Sequence, residues 1–396
     1  MKEKHVILRA TGRVVRSGGG MLGGPLAGAE AVEPTGLRVE VESIDAAGVA
    51  KMSKQDDVVC VAPAMPIRLI APVSTPGAQP AADAVDWGVQ AVGAPASPFT
   101  GDGIVVAVLD TGIDAAHAAF AGVALVQKDF TGEGDGDQHG HGTHCAGTIF
   151  GRDVNGTRIG VARGVKRALI GKVLGGQGGG TDQIVNAIQW AVQEGANVIS
   201  MSLGMDFPGF QKQLQDELGL PPELATSRAL EGYRLNVLLF ERLAAMVKQM
   251  GNFTQTTVFV AAAGNESRTH ENPNFKIAVA PPAVSEGMIS VAALGQGPGG
   301  LVVAPFSNTG AMVSGPGVRI TSAKRGGGLT AMSGTSMATP HVAGVVALWA
   351  QKLKGMGPLN PGLLTAKVVA SGVTAGLPAG FDPIDVGSGL VQAPLN

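Results

Sequence analysis

Four short stretches of this chain carry residues whose types, taken in order, suit nucleophilic attack on a carbonyl. The first is an apolar run that ends Ala107-Val-Leu-Asp110-Thr-Gly-Ile. A carboxylate at the tip of a buried strand is costly unless something hydrogen-bonds it, so Asp110 either caps a turn or holds a partner. The second is His139-Gly-His141-Gly-Thr-His144-Cys145. Three close histidines can ligate a metal, and a metal hydrolase built on them is one reading. No Glu of an H-E-x-x-H motif accompanies them, however, and the glycines suit a tight turn opening a helix. The third is Val260-Ala-Ala-Ala-Gly264-Asn265-Glu266, where Asn265 is either a turn former or an amide donor to a developing oxyanion. The fourth is Gly334-Thr-Ser336-Met-Ala-Thr-Pro340, running into an apolar helix. A serine there is commonly an N-cap; here the unpaired N–H groups of the helix would also face whatever Ser336 attacks.

Such residues need a scaffold that brings distant segments together. From Trp87 onward, apolar runs of strand length (104–109, 198–202, 258–263, 288–292) alternate with helical patterns (182–193, 227–249, 337–354). That alternation implies a parallel sheet covered on both faces, with the site where the strands' carboxyl ends meet the following loops. Residues 1–71 differ in character. Strand-like runs at 5–10 and 37–44, a helix opened by Asp45 and an apolar run at 58–62 describe a small βαβ-rich unit around a glycine-rich stretch. Residues 72–80, Pro-Val-Ser-Thr-Pro-Gly-Ala-Gln-Pro, read as an exposed linker open to proteolytic nicking.

Bulk properties exclude several function classes. The net charge is −2 with Lys/Arg and Asp/Glu nearly balanced, which leaves no electrostatic footprint for nucleic acid or an anionic membrane. No apolar run approaches the ~20 residues of a membrane span. Cys60 and Cys145 are the only cysteines, too few for a disulfide framework. The first ten residues lack an apolar signal core, which points to the cytoplasm unless a leader has already been removed. Sixty glycines among 396 residues and 4% aromatics imply a core of Val, Ala, Leu and Ile with many close backbone approaches.

Together and in this order, the four motifs resemble the subtilisin (subtilase) family over roughly residues 85 to 396. The order Asp, His, Ser and Ala338 in place of a second elbow glycine separate the chain from α/β-hydrolases and chymotrypsin. The resemblance implies an α/β three-layer sandwich with a mostly parallel central sheet, plus a small α+β N-terminal prodomain. It implies residues 1–71 as an inhibitory propeptide, 72–83 as a linker with an autoprocessing site between Ala71 and Asp83, and 84–396 as the catalytic domain. By similarity, Asp110 orients His141, His141 serves Ser336 as base, and Asn265 with the Ser336 N–H holds the oxyanion. Gly178, Gly179 and Gly180 on one side and Ser202, Leu203 and Gly204 on the other match the edges that bind an extended peptide, with Glu266 adding acidity at the rim. Cys145 matches a position that often carries cysteine in the proteinase K branch; its role is read first as that of a buried small apolar group and only second as a reactive thiol under the site. The implied partners are a peptide or protein substrate and the chain's own propeptide, in a monomer. No cofactor is required for the chemistry. Structural calcium is a family expectation with ligands unassigned; Asp153-Val-Asn155-Gly is oxygen-rich, while Asp135 and Asp137 read as solvated charges equally well. Residues 205–226 depart from the family as an insertion, either a lid over the cleft or a surface addition. A peptide-binding pseudo-protease or permanently inhibited zymogen is the alternative function.

Overall fold

The computed structural model describes residues 2–11, 14–15, 31–32, 36–73, 84–251 and 256–396. The glycine-rich stretch expected at 18–28 and most of the linker, residues 74–83, lie outside the described residues.

The N-terminal unit opens with β1 (Glu3–Thr11), passes through the short antiparallel pair β2 (Val14–Val15) and β3 (Ala31–Val32), and returns as β4 (Gly36–Ile44). Helix α1 (Ala46–Met52) starts where the Asp45 carboxylate accepts the Gly48 N–H, and β5 (Val58–Pro63) follows. β1 pairs antiparallel with both β4 and β5, so those two run parallel with β1 inserted between them. The βαβ unit expected from the sequence is therefore a split one. A further strand, β6 (Pro66–Leu69), leaves this sheet altogether and joins the larger unit.

The larger unit begins with α2 (Trp87–Ala91) and lays down β7 (Val105–Asp110), β8 (Ala124–Asp129), α3 (His141–Phe150) and β9 (Arg167–Lys172). The short β10 (Gly179–Gly180), α4 (Thr181–Gln193), β11 (Val198–Met201) and β12 (Leu203–Met205) come next. Helices α5 (Phe207–Leu218) and α6 (Pro222–Gly251) lead to β13 (Val258–Ala262), β14 (Met288–Gly297), β15 (Gly300–Val303) and β16 (Val313–Pro316). The hairpin of β17 (Ile320–Ala323) and β18 (Leu329–Met332) precedes α7 (Thr335–Lys354). The main sheet runs β15-β14-β13-β11-β7-β9-β8 with β16 beside β14, and only β15 is antiparallel to its neighbour.

Period-two alternation explains the three layers. Val106 and Val108 of β7 face one core with Cys145, Ala146 and Ile149 of α3 and Met337, Ala338 and Val342 of α7. Ala107 and Leu109 face the other core, shared with Ile184 and Ile188 of α4 and Phe240 and Leu243 of α6. Val6, Leu8, Leu37, Cys60, Ala62, Met65 and Ile67 belong to that second core. The N-terminal unit is thus seated on α4 and α6 by apolar burial, each large side chain contributing about 1.5–3 kcal/mol. Cys60 and Cys145 are both buried and free. Among the described residues, no helix is long and apolar enough to cross a membrane.

The inserted segment forms α5, its turn, and the opening of α6, which begins five residues before the sequence pattern suggests. Asp206 caps α5 by accepting the Gly209 N–H, and Gly219 closes it in the left-handed conformation. Leu214 packs with Ala225 and Ala229 in a small satellite core, and α5 borders a groove with Pro63 and Ala64 of the N-terminal unit.

Candidate active site

Asp110 ends β7 at the carboxyl edge of the sheet, and its Oδ1 accepts both the Thr111 N–H at 2.8 Å and His141 Nδ1–H at 2.7 Å. Both side chains are buried. His141 is the first residue of α3, and the turn before it is organised by Asp137. That carboxylate accepts from the N–H groups of His139, Gly140 and Thr143 and from the hydroxyls of Thr111 and Thr143. The expectation of a solvated Asp137 is thereby corrected: it is buried, and its partners come from two separate loops. Gly142 admits no side chain, because a Cβ there would stand 2.1 Å from the Gly112 carbonyl oxygen. The Asp110 loop and the His141 helix are pressed together at that point.

With Nδ1–H given to Asp110, Nε2 is the basic nitrogen of His141, and among the described residues it has no hydrogen-bond partner. Burial opposes the imidazolium; the Asp110 charge, with Cys145 and the Asp110 hydrogen bond, outweighs it and holds the His141 pKa well above its ordinary value.

Ser336 is the second residue of α7. The sulfur of Cys145 lies 3.8 Å from His141 Nδ1 and 3.3 Å from the Ser336 carbonyl, so the histidine and serine helices meet over this one side chain. Ser202 Oγ also donates to the Ser336 carbonyl, at 3.2 Å. Asn265 is held by its own Oδ1, which accepts from Thr335 N–H at 2.8 Å and Thr335 Oγ1 at 2.9 Å. Its Nδ2 thereby comes close to Gly334 at the start of α7. Gly334 permits this approach, since a Cβ would stand 2.9 Å from Asn265 Nδ2.

The cleft is filled by the chain itself. β6 pairs antiparallel with β10 on one side, Ile67 opposite Gly179, and with β12 on the other, Arg68 opposite Gly204 and Leu69 opposite Leu203. Gly178, in the left-handed region, leaves room for the Ile67 carbonyl, which would lie 2.9 Å from any Cβ there. Ile67 and Ile70 are buried, Leu69 is half-buried, and Arg68 and Ala71 are exposed, so the strand lies as an extended peptide laddered on both edges with two aliphatic anchors. The Ile70 side chain lies over Gly204. Beyond it, Ser336 Oγ donates to the Ile70 carbonyl at 2.8 Å, Asn265 Nδ2 donates to the Ala71 carbonyl at 2.9 Å, and Val73 N–H donates to the Ser333 carbonyl at 2.7 Å. Ser333, Thr335 and the strand β6 were not singled out by the sequence reading, and Asp137 was named there without this role. The spacing Ile67, Ile70 between Pro66 and Pro72 is the trace that β6 leaves in the sequence.

Of the three histidines, only His141 joins Asp110. His139 is exposed, and His144 is buried in α3 with its Nε2–H donated to the Ile320 carbonyl at 3.0 Å. Among the described residues, the only close group of metal-type donors is Asp110, His141 and Cys145, where the carboxylate and imidazole are already hydrogen-bonded to each other. In the loop after α3, the Asp153 carboxylate faces Arg163 at 3.4 Å, so a cationic partner for it is built into the chain.

Buried neutral histidines predict acid sensitivity. Burial, helped by the His141 charge, pushes His144 down to about 3 from 6.5. The unfolded chain therefore binds the extra proton first, and stability falls as pH drops below 6.5. His341, buried in α7, is pushed down to about 4 by burial, and the adjacent Asp86 is raised to about 6, chiefly by burial. Asp86 gains its proton on acidification in the folded state first, so these two changes offset one another. His144 is left to dominate, costing about 3 kcal/mol between pH 6.5 and 4. Urea denaturation of the Ser336→Ala chain should show that loss; equal stability at pH 7 and pH 4 would contradict it.

The profile of the Subtilase family (Peptidase_S8) matches residues 101–372. The chain is 32% identical over 336 residues to Subtilisin-like protease 6 of Trichophyton schoenleinii, covering 81% of this chain and 71% of that one. It is 33% identical over 284 residues to the Subtilisin-like serine protease Pen ch 13 of Penicillium rubens, covering 67% and 58%. It is 34% identical over 270 residues to Subtilisin-like protease 6 of Trichophyton equinum, covering 66% and 55%, so the chain spans little more than half the length of these last two relatives. With this match laid over the Asp110–His141 pair, Asn265 and Ser336, the chain belongs to the subtilase family of serine proteases.

Proposed function

We propose that this chain is a serine endopeptidase held inactive by its own N-terminal unit until that unit is cut away. In the free enzyme His141 Nε2 removes the Ser336 proton as Oγ attacks the scissile carbonyl, and Asp110 steadies the imidazolium that forms. Asn265 Nδ2 and the first-turn N–H of Ser336 take the developing oxyanion. Collapse of the tetrahedral intermediate expels the amine with the proton from His141, and water then releases the acyl group by the same steps in reverse.

One observation carries the inhibited state. The carbonyl at the nucleophile is that of Ile70, while the carbonyl at the oxyanion donor is that of Ala71. A cut needs a single carbonyl at both places, so the strap as seated is not poised for attack. Ser336 spends its proton on Ile70 and His141 Nε2 is left without it. Sliding the strap by one residue would present the Ala71–Pro72 bond, whose leaving nitrogen lies in a proline ring.

Processing between Ala71 and Asp83 then falls to a second copy, because residues 66–73 block each chain's own cleft. Intact mass over time tests this. The wild-type chain should lose a fragment ending between residues 71 and 83, faster at higher protein concentration, while Ser336→Ala stays whole until a trace of processed wild type is added. A concentration-independent cut would overturn the second-copy step. An uncut, inactive wild type would favour a peptide-binding protein instead.

A further inference from the structure

Arg68 of the strap reaches two carboxylates of the larger unit, one directly after β12 and one beside Asn265. Its guanidinium meets Asp206 Oδ1 at 3.1 Å and Glu266 Oε1 at 3.3 Å. Both acids have partners in the larger unit, and the Asp206 N–H also donates to the Pro66 carbonyl of the strap at 3.1 Å. Asp206 caps α5 through the Gly209 N–H, and the other oxygen of Glu266 accepts from Asn308 Nδ2 at 2.7 Å. Neither has another cation partner among the described residues. When the strap leaves, two positioned negative charges face whatever peptide follows it.

We infer that Asp206 and Glu266 are specificity-determining residues that select a basic side chain in the substrate, an inference that rests on the endopeptidase reading above. The selected position is two residues before the one whose carbonyl meets Ser336, since Arg68 stands two residues before Ile70. The flanking positions repeat the strap's own pattern, with Ile70 over Gly204 and Ile67 buried between β10 and β12. The preferred substrate is therefore an extended peptide with a cation between two buried aliphatic side chains. Asp206 lies near the start of the segment (205–226) by which this chain departs from its family pattern, so on this inference the insertion contributes to recognition through that residue.

The test uses enzyme freed by its own processing and peptides Ile-Xaa-Leu-Ile-Ala with Xaa as Arg, Gln or Glu. Arg should exceed Gln in kcat/KM by roughly 3- to 10-fold and Glu by roughly 30-fold, the scale of two half-exposed ion pairs. The preference should shrink as salt is raised. In the Asp206→Asn, Glu266→Gln double variant, which keeps the α5 cap, the Arg-to-Gln ratio should fall to near one. A wild-type ratio near one, or a ratio that survives in the double variant, overturns the inference. If no peptide is cut at all, the endopeptidase reading fails and the subsite is read without catalysis. Hydrogen exchange of residues 66–70 in the intact Ser336→Ala chain should rise in Arg68→Gln and in the double variant, and no further when the two are combined. Unchanged exchange, or full additivity, then overturns it.

Discussion

Substituting His141 by alanine should cut peptide turnover by about a millionfold, the scale known for subtilisin, where the triad works as one unit. Among the described residues, Ser336 Oγ has the Ile70 carbonyl as its partner, and once the strap is gone the group poised to take its proton is His141 Nε2. Cys145 lies close, but burial raises its thiol pKa, so it offers no thiolate at neutral pH. Asp110→Asn should cost less, about ten-thousandfold, the scale trypsin shows when its own buried aspartate is changed in this way: an amide there forces the imidazole proton onto Nε2. Turnover of a chromogenic peptide by active-site-titrated enzyme measures both. An alanine variant retaining a tenth of wild-type activity would show that another base serves Ser336.

The four motifs were legible because each is a contiguous run whose small residues serve the same close approach. The glycines around His141 permit the close approach to Gly112, and Gly334 clears the way for Asn265. Parallel strands buried on both faces read as apolar runs, so β7, β11, β13 and β14 were visible from composition alone. What stayed hidden depends on pairing across the chain. Asp137 looks like any loop aspartate until Thr111 and Thr143 converge on it. The insertion of β1 between β4 and β5 leaves no trace in either strand's periodicity. β6 was missed for a related reason. Four residues containing a proline and an arginine bury too little on their own to read as a strand, and become one only because β10 and β12 supply both ladders. The segment is paired with β10 and β12 and not with the sheet of the unit it comes from.

Asn265→Ala should lower kcat of the processed enzyme about 100- to 1000-fold with little change in KM, the scale subtilisin shows when it loses such a donor. The amide meets the substrate oxygen most strongly once that oxygen carries charge, so its loss falls on the transition state. In the intact chain the same substitution pulls in two directions. It removes the hydrogen bond from Nδ2 to the Ala71 carbonyl, a tie that holds the strap beyond Ile70. It also frees Thr335 N–H and Oγ1, which now bind Asn265 Oδ1 at the start of α7. The strap is therefore expected to exchange its amide hydrogens faster while the enzyme beneath it becomes slower. The magnitudes decide the outcome: one surface-accessible hydrogen bond is worth about 1 kcal/mol, whereas a 100-fold loss in kcat is about 2.7 kcal/mol. Self-processing of Asn265→Ala should thus be slower than wild type despite the looser strap, and a trace of processed wild type should restore it. Faster unaided processing would mean that release of the strap, and not the chemistry at Ser336, limits activation.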